Sequence, residues 1–540
     1  MTRWRWGTWA AISIHFGILL TLGLSRHWGY LSSLNDLGVF DQAVWGTLHG
    51  QFLPNTSILD QPIDWLGFHF NPVLLLFVPL YAVSPSVEWF ALAQALALSI
   101  AAWPIFLLAS RVCRSEVAGL MWAIAYLVNP FLLNAAAWDF HPVTLAVPFI
   151  ALGMLAVEKA DSRLLFISCL PLLLIQEQLG LTVAGFGVLW RLRNHDWKPA
   201  AGLVSLGAAH AALVLGVVMP YFSPTGEHLM FGSAPGPLSR YGWLGDSFGE
   251  AAQTLLTHPL SVIEALLFST DGATYLALLL LPFIGFSLAG GAFLLPGVPD
   301  LLANLLSANA MPRSIFAYHS APLVPVLTAA AIYGAKRFTL RFTRYTLSQL
   351  AGLAVVASFV AGYVSAPLPL PGARNIWRPA HFMNWPDPDI QAIRAAVGDN
   401  ASASVQSNVG AHFSQRREIY VYPNKADETE VIILRLESPT TRILPHAPRD
   451  GSLAWHLQMR PAAYLASIEC LLASHQYRLK LWKDPWLVLA RDAGDSVSRH
   501  TIEMRLNQLR RLWEISDDEY LAERSPCAGN TWLPPSWERR

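Results

Sequence analysis

The chain has 540 residues, 53% hydrophobic and only 14% charged, with 21 Trp, 26 Phe and a formal net charge of zero. Soluble domains carry about a quarter charged residues, so a disordered chain, a secreted disulfide scaffold and an ordinary soluble enzyme are excluded. The balanced charge lacks the basic footprint of a nucleic-acid binder, and no nucleic-acid partner is expected.

Residues 1–365 hold 16 Lys+Arg and 17 Asp+Glu, and residues 366–540 hold the other 21 and 20. The change falls at Ser365-Ala-Pro-Leu-Pro-Leu-Pro-Gly372, a stiff Pro-rich linker. This reads as a transmembrane domain over 1–365 with a long outer loop 26–87. An α/β domain over 366–498 and a helical, loose tail over 499–540 follow.

Arg3 and Arg5 open an apolar segment that runs to about Leu24. No small-residue cleavage site follows it, so it reads as a retained span. Further spans are read at 88–110, 116–134, 142–158, 200–221, 272–289, 291–306, 319–335 and 345–364. The apolar segment His69–Val83 is too short to cross easily, and Gln176-Glu-Gln178 interrupts the stretch Leu164–Trp190. The positive-inside rule resolves both. If 69–83 does not cross, Arg3, Arg5, Arg111 and Arg114 share one side. If 164–190 turns back as two half-helices, Lys159, Arg163, Arg191, Arg193 and Lys198 join them. Thirteen basic residues then lie inside, and Arg26, Arg240 and Arg313 outside. The result is a polytopic α-helical inner-membrane protein of about eleven spans, with a cytoplasmic N-terminus and an extracytoplasmic C-terminal domain.

The polar residues gather on the outer side. In Asn35-Asp-Leu-Gly-Val-Phe-Asp-Gln-Ala-Val-Trp45, Leu37, Phe40, Val44 and Leu48 keep helical spacing, which predicts an amphipathic helix in the interface. Asp36 stands where it can be either a helix cap or a catalyst, and Asp41 follows it. His69, Asp139, His141, Glu177, Arg240, Arg313, Tyr318 and His319 map to the same side. Glu177 is an acid at membrane depth, which by default marks function. Arg240 and Arg313 offer the planar fork that suits a phosphate. His69 and His141, each near a Pro at a membrane boundary, are more often packed interfacial residues.

The segment Asn35–Trp45 and the segments His69-Phe-Asn-Pro72, Trp138-Asp-Phe-His-Pro142 and Gln176-Glu-Gln-Leu-Gly-Leu181 resemble motifs of a predicted membrane protein family, domain of unknown function 2079. Pro296–Leu306, Tyr318–Pro325 and Ser404–His412 are similar to further family segments. The resemblance runs to about residue 490 and departs at the hairpin, which usually reads Lys-Glu-Asp. That family is related in architecture to the GT-C glycosyltransferases. The relation implies a sugar transferase using a polyprenyl-phosphate donor, with a catalytic acid in the first outer loop. Asp36 occupies that place, with Asp41 as its partner. The two could also hold Mg or Mn. The implied partners are the lipid-linked sugar donor, membrane lipids and an acceptor.

In the tail, Ala403-Ser-Val-Gln406, Glu418–Tyr422, Glu430–Leu436 and Trp486–Ala490 read as strands, and Pro461–Ser474 as a helix with Pro461 at its first position. Cys470 and Cys527 are a candidate disulfide pair, and Cys113 and Cys169 are read as inert core residues. Two alternatives stand beside the transferase. One is a transporter or flippase with an ion path through Glu177 and Asp139. The other is a membrane-anchored assembly protein acting through its tail.

Overall fold

The computed structural model describes residues 2–230, 240–269, 271–373, 382–437, 452–474, 476–491 and 499–524. By contacts the chain forms two compact units. The first comprises 1–23, 65–75 and 88–378, and the second 24–64, 76–87 and 379–540. Most of the outer loop 26–87, attached along the chain to the transmembrane domain, therefore falls in the same unit as the tail.

The first unit is helical. Six helices are long and apolar enough to cross a membrane: Arg3–Trp28, Glu88–Cys113, Pro142–Lys159, Trp197–Phe222, Phe286–Leu306 and Leu347–Ser365. Counting each of two bent pairs as one span raises the number to eight. These pairs are Glu116–Leu127 with Pro130–Ala137, bent by 44°, and Pro259–Leu267 with Gly272–Phe283, bent by 62°. The three other expected crossings fall on helices that are shorter or more charged. Leu323–Arg341 ends in Lys336, Arg337 and Arg341. Ser162–Leu174 and Leu179–Asn194 are short helices on either side of 175–178. Pro72–Val83 is a short apolar helix, as its length and prolines require.

The helices pack through small residues, because apolar helices in a lipid-like interior gain chiefly from close contact. A Cβ on Gly207 would stand 2.3 Å from the Gly180 carbonyl oxygen, so Leu179–Asn194 and Trp197–Leu213 touch backbone to backbone. A Cβ on Gly334 would stand 1.9 Å from the Phe286 carbonyl oxygen. Around these contacts Phe106, Trp122, Tyr126, Ile150, Phe186 and Phe283 are fully buried.

The second unit contains the strands β1 (Pro54–Asn55), β2 (Ile63–Asp64), β3 (Ala403–Val405), β4 (Ile419–Val421), β5 (Val431–Arg435), β6 (Arg478–Lys483) and β7 (Trp486–Ala490). The pair β1 and β2 forms an antiparallel ribbon. The others form one sheet in the order β4-β3-β5-β7-β6, parallel from β4 to β5 and antiparallel beyond. Alternation along a strand sends successive side chains to opposite faces. Val431, Ile433, Trp486 and Val488 pack on one face with Ile393, Val397, Tyr30 and Leu34. Ile432, Leu434, Leu487 and Leu489 pack on the other with helices Pro461–Ala473 and Arg499–Leu512. Residues 499–512, read as a charged helix of the tail, form one and contribute Ile502, Leu506 and Leu509 to a core. Cys470 is buried in Pro461–Ala473, and Cys527 lies outside the described residues. Cys113 and Cys169 are buried and free.

The helix Val39–Leu48 corrects the expected interfacial helix. Val39, Phe40, Ala43 and Val44 are buried, and so are the polar Asp41 and Gln42. Its polar side has partners inside the second unit, so it presents no solvated face opposite an apolar one.

Gly334→Ala is expected to lower the thermal midpoint of the detergent-solubilised chain, since overpacking costs about 1–3 kcal/mol. An unchanged midpoint would show that Leu323–Arg341 can move aside freely.

Candidate functional site

In the first unit two chain breaks meet. The segment 65–71 and the apex 175–178 each expose backbone groups, and side chains answer them. Asn71 donates through Nδ2 to the Ile175 carbonyl at 2.6 Å and accepts from Trp65 Nε1 at 2.8 Å. Glu177 Oε2 accepts from the Phe70 N–H at 3.0 Å, and Oε1 lies 2.8 Å from His69 Nδ1. A carboxylate only accepts, so Nδ1 carries a proton and the pair is an oriented dyad. The sequence pattern therefore brings His69 and Glu177 together, 108 residues apart.

His141, Tyr318 and His319 form a ring column. His141 stacks on Tyr318 with centroids 3.4 Å apart, and Tyr318 on His319 at 4.1 Å. His141 is fixed from behind by its Nδ1 on the Asp139 carbonyl at 3.0 Å and by its N–H on Gln94 Oε1 at 3.2 Å. Asp139 thus contributes its backbone to this column. Burial is the main reason the His141 pKa falls to about 3, with the charges of His69 and Arg240 adding to it. Both ring nitrogens of His319 are shielded from solvent and have no hydrogen-bond partner. Such an orphaned polar group calls for a water or a ligand.

Arg240 is positioned by its neighbours. The N–H of Ala308 donates to its carbonyl at 2.7 Å. Tyr241 Oη and Trp243 Nε1 donate to the carbonyls of Ala303 and Leu306, at 3.1 and 2.8 Å. The segment 240–243 is thereby tied to the end of helix Val298–Leu306. Among the described residues, no hydrogen bond or ion pair involves the Arg240 guanidinium. Its charge is felt at His141 and His319.

Arg313 corrects its expected role. Its Nη1 donates to the carbonyls of Asn304 and Ser307, at 3.2 and 2.5 Å, and the side chain is buried. It closes the C-terminus of Val298–Leu306, where cations and donors are favoured. Two further residues escaped the sequence reading. His228 couples electrostatically to Glu177 and His69. Asp300 is buried, with Gln178 Nε2 at 3.3 Å and Thr182 Oγ1 at 3.2 Å. An acid inside the apolar run 291–306 was a visible signal for Asp300; His228 had none.

The second unit holds Asp36 and Asp41. Asp36 is half-buried in a π-helical turn, Leu34–Gly38. The cap of that turn is Ser33, whose Oγ accepts from the Asn35 N–H at 3.1 Å, so Asp36 is not the capping residue. Asp41 is fully buried. Its Oδ1 accepts from Tyr81 at 2.7 Å and Gln415 at 3.1 Å, and its Oδ2 from Ser414 at 2.6 Å. Burial raises its pKa, and these hydrogen bonds and the Arg394 charge offset that only in part. Three of about four acceptor sites on the carboxylate are taken. Among the described residues no three His, Cys, Asp or Glu gather as metal ligands. Asp41 is thus held as a buried acceptor by Tyr81, Gln415 and Ser414.

Asp41→Ala should destabilise the chain by about 1–3 kcal/mol, because buried donors lose their acceptor. Arg313→Ala should do the same by exposing two carbonyls. Thermal melting in detergent checks both. A variant that keeps its midpoint yet loses function would restore a direct chemical role.

Apolar helices of crossing length, with their breaks repaired by polar side chains, define a polytopic helical membrane protein. The chain belongs to the family described as predicted membrane protein (DUF2079), whose family model matches residues 26–454. No curated protein matches the chain significantly.

Proposed function

We propose that the chain is an integral-membrane glycosyltransferase that takes a sugar from a polyprenyl-phosphate donor at the outer membrane face. Asp36 is the general base that accepts the acceptor's proton. The observation that carries this reading is the contrast between the two first-loop acids. Ser33 holds the cap of the turn, and Asp41, the other acid, is buried under three donors. The resemblance of the first loop to GT-C enzymes supports the same assignment.

The test is release of polyprenyl phosphate from a panel of undecaprenyl-phosphate-linked sugars. Positioned proton transfer contributes about 10²–10⁴-fold, so Asp36→Asn should lose at least about 10²-fold in rate while keeping its yield and melting temperature. Full activity in Asp36→Asn would remove Asp36 from the chemistry.

The same reading places the N-terminus in the cytoplasm and residues beyond 366 outside the inner membrane. Single cysteines at the exposed positions Asp64, Glu250 and Glu428 should react with an impermeant maleimide in intact cells. Cysteines at Lys198 and Arg341 should react only after lysis. Protection at Glu428 in intact cells would put the acid in the wrong compartment.

A further inference from the structure

In the first unit, residues 244–269 leave apolar side chains that the protein does not cover. The helix Phe248–Thr257 opens at Ser247, whose Oγ accepts from the Glu250 N–H at 3.2 Å. At about 100° per residue this helix divides into three flanks. Ala251 is buried with Leu244 and Val262, and Thr254 Oγ1 donates to the Leu244 carbonyl at 2.7 Å, so one flank packs on the protein. Glu250, Gln253 and Thr257 form a polar, exposed flank. Between the two lie Ala252, Leu255 and Leu256, all exposed, Leu256 by 81%. The next helix, Pro259–Glu264, repeats the order. Val262 is buried, Ile263 and Leu260 are exposed by 49% and 80%, and Glu264 and Ser261 are polar and exposed.

Two observations say what covers the apolar flanks. Pro259–Leu267 belongs, with Gly272–Phe283, to a bent pair apolar enough to cross a membrane, and a segment of that kind meets lipid. Leu255 and Leu256 continue its apolar surface across the turn at His258. The order of the flanks is also that of a helix lying along a bilayer, with one side to water, one to the acyl boundary and one to protein. No Lys or Arg stands between Arg240 and Arg313, so attraction to anionic headgroups plays no part and apolar area alone holds the contact. We propose that Phe248–Thr257 and Pro259–Glu264 form an interfacial helix pair whose Leu255, Leu256, Leu260 and Ile263 are embedded in a lipid leaflet. Residues 244–264, between the spans read at 200–221 and 272–289, thereby lie on the membrane rather than out in water. That the leaflet is the outer one rests on the orientation given with the transferase reading; the contact with lipid does not.

The experiment uses the full chain in phosphatidylcholine nanodiscs, with a nitroxide on a single added cysteine. Leu256→Cys and Leu260→Cys report the apolar flanks, and Gln253→Cys and Glu264→Cys the polar ones. The chain without an added cysteine, labelled in the same way, supplies the background to subtract. At 256 and 260 the label should collide more with oxygen, which concentrates among acyl chains, than with a water-soluble nickel chelate. At 253 and 264 the ratio should invert. The pattern should persist in molar salt and with phosphatidylglycerol mixed into the bilayer. A small impermeant maleimide, which needs no nitroxide, should react slowly with Leu256→Cys, fast with Gln253→Cys, and equally with both after denaturation. Nickel collisions at 256 and 260 equal to those at 253 would put the flanks in water and overturn the proposal. Shielding from oxygen and nickel alike would show protein there, a second copy or another segment of the chain, and would overturn it too. Loss of the pattern in molar salt would replace apolar embedding by headgroup attraction, with the same result. These readings need no sugar and no intact Asp36, so failure of the transferase and failure of this contact are separate outcomes.

Discussion

A helix interrupted inside an apolar body leaves backbone donors and acceptors that no water can reach, and each must find a partner. The first unit meets this constraint with one buried polar side chain at each break. Gln94 serves the turn after Pro130–Ala137: its Nε2 donates to the carbonyls of Ala135 and Trp138, both at 3.3 Å, and its Oε1 accepts from the His141 N–H and Thr144 Oγ1. Asn71 and Glu177 do this for 65–71 and the 175–178 apex, and Arg313 for the end of Val298–Leu306. Asn134 donates to the Ser365 carbonyl, and Ser358 to that of Pro282. The chemistry-bearing residues stand at these breaks because that is where the chain leaves its helical path. The repairs to the backbone hold His69 and His141 in fixed orientation.

The second unit applies the same rule to a sheet edge. An edge strand presents unpaired N–H and C=O groups that must be covered. At the β4 edge, Ile419 N–H donates to Thr56 Oγ1 at 3.0 Å, and Thr56 Oγ1 lies 2.8 Å from the Ile419 carbonyl. Gln42 Nε2 reaches Thr56 Oγ1 and the carbonyls of Arg416 and Arg417. Tyr30 completes the sheet face: its hydroxyl donates to Asp387 at 2.8 Å, and Arg435 lies over its ring at 4.3 Å. This accounts for the grouping of residues 24–64 with 379–540. The loop supplies the polar cover and the aromatic filling that the sheet lacks.

What was legible in the sequence follows from range. Spans were legible because their apolar runs are local, and the helix Pro72–Val83 because its length and prolines are local too. Four strands in 403–490 were legible from β-branched runs such as Val431–Leu434, whereas the more charged β6 (Arg478–Lys483) was not read. Long-range pairings left no such trace. The helical spacing of Leu37, Phe40 and Val44 was read as facing a lipid interface, but nothing nearby in sequence announces Ser414 or Gln415 as partners for Asp41. The carbonyl contacts of Arg313 were hidden for the same reason. The carbonyls that Arg313 binds belong to a helix end whose position only the fold reveals. The pairing of His69 with Glu177 was half visible: each was singled out, but not their contact.

The charge pattern bears on the choice between transferase and ion path. A cation path needs acids free to exchange their counter-ion along the route. Glu177 is engaged through both oxygens, by His69 and by a backbone N–H, and Asp300 is held by Gln178 and Thr182. Moving a cation past Glu177 would require breaking the dyad and leaving the Phe70 N–H without its acceptor. His319 has both ring nitrogens without a hydrogen-bond partner, one a donor and the other an acceptor in the neutral ring. The saturated acids weigh against an ion path through Glu177.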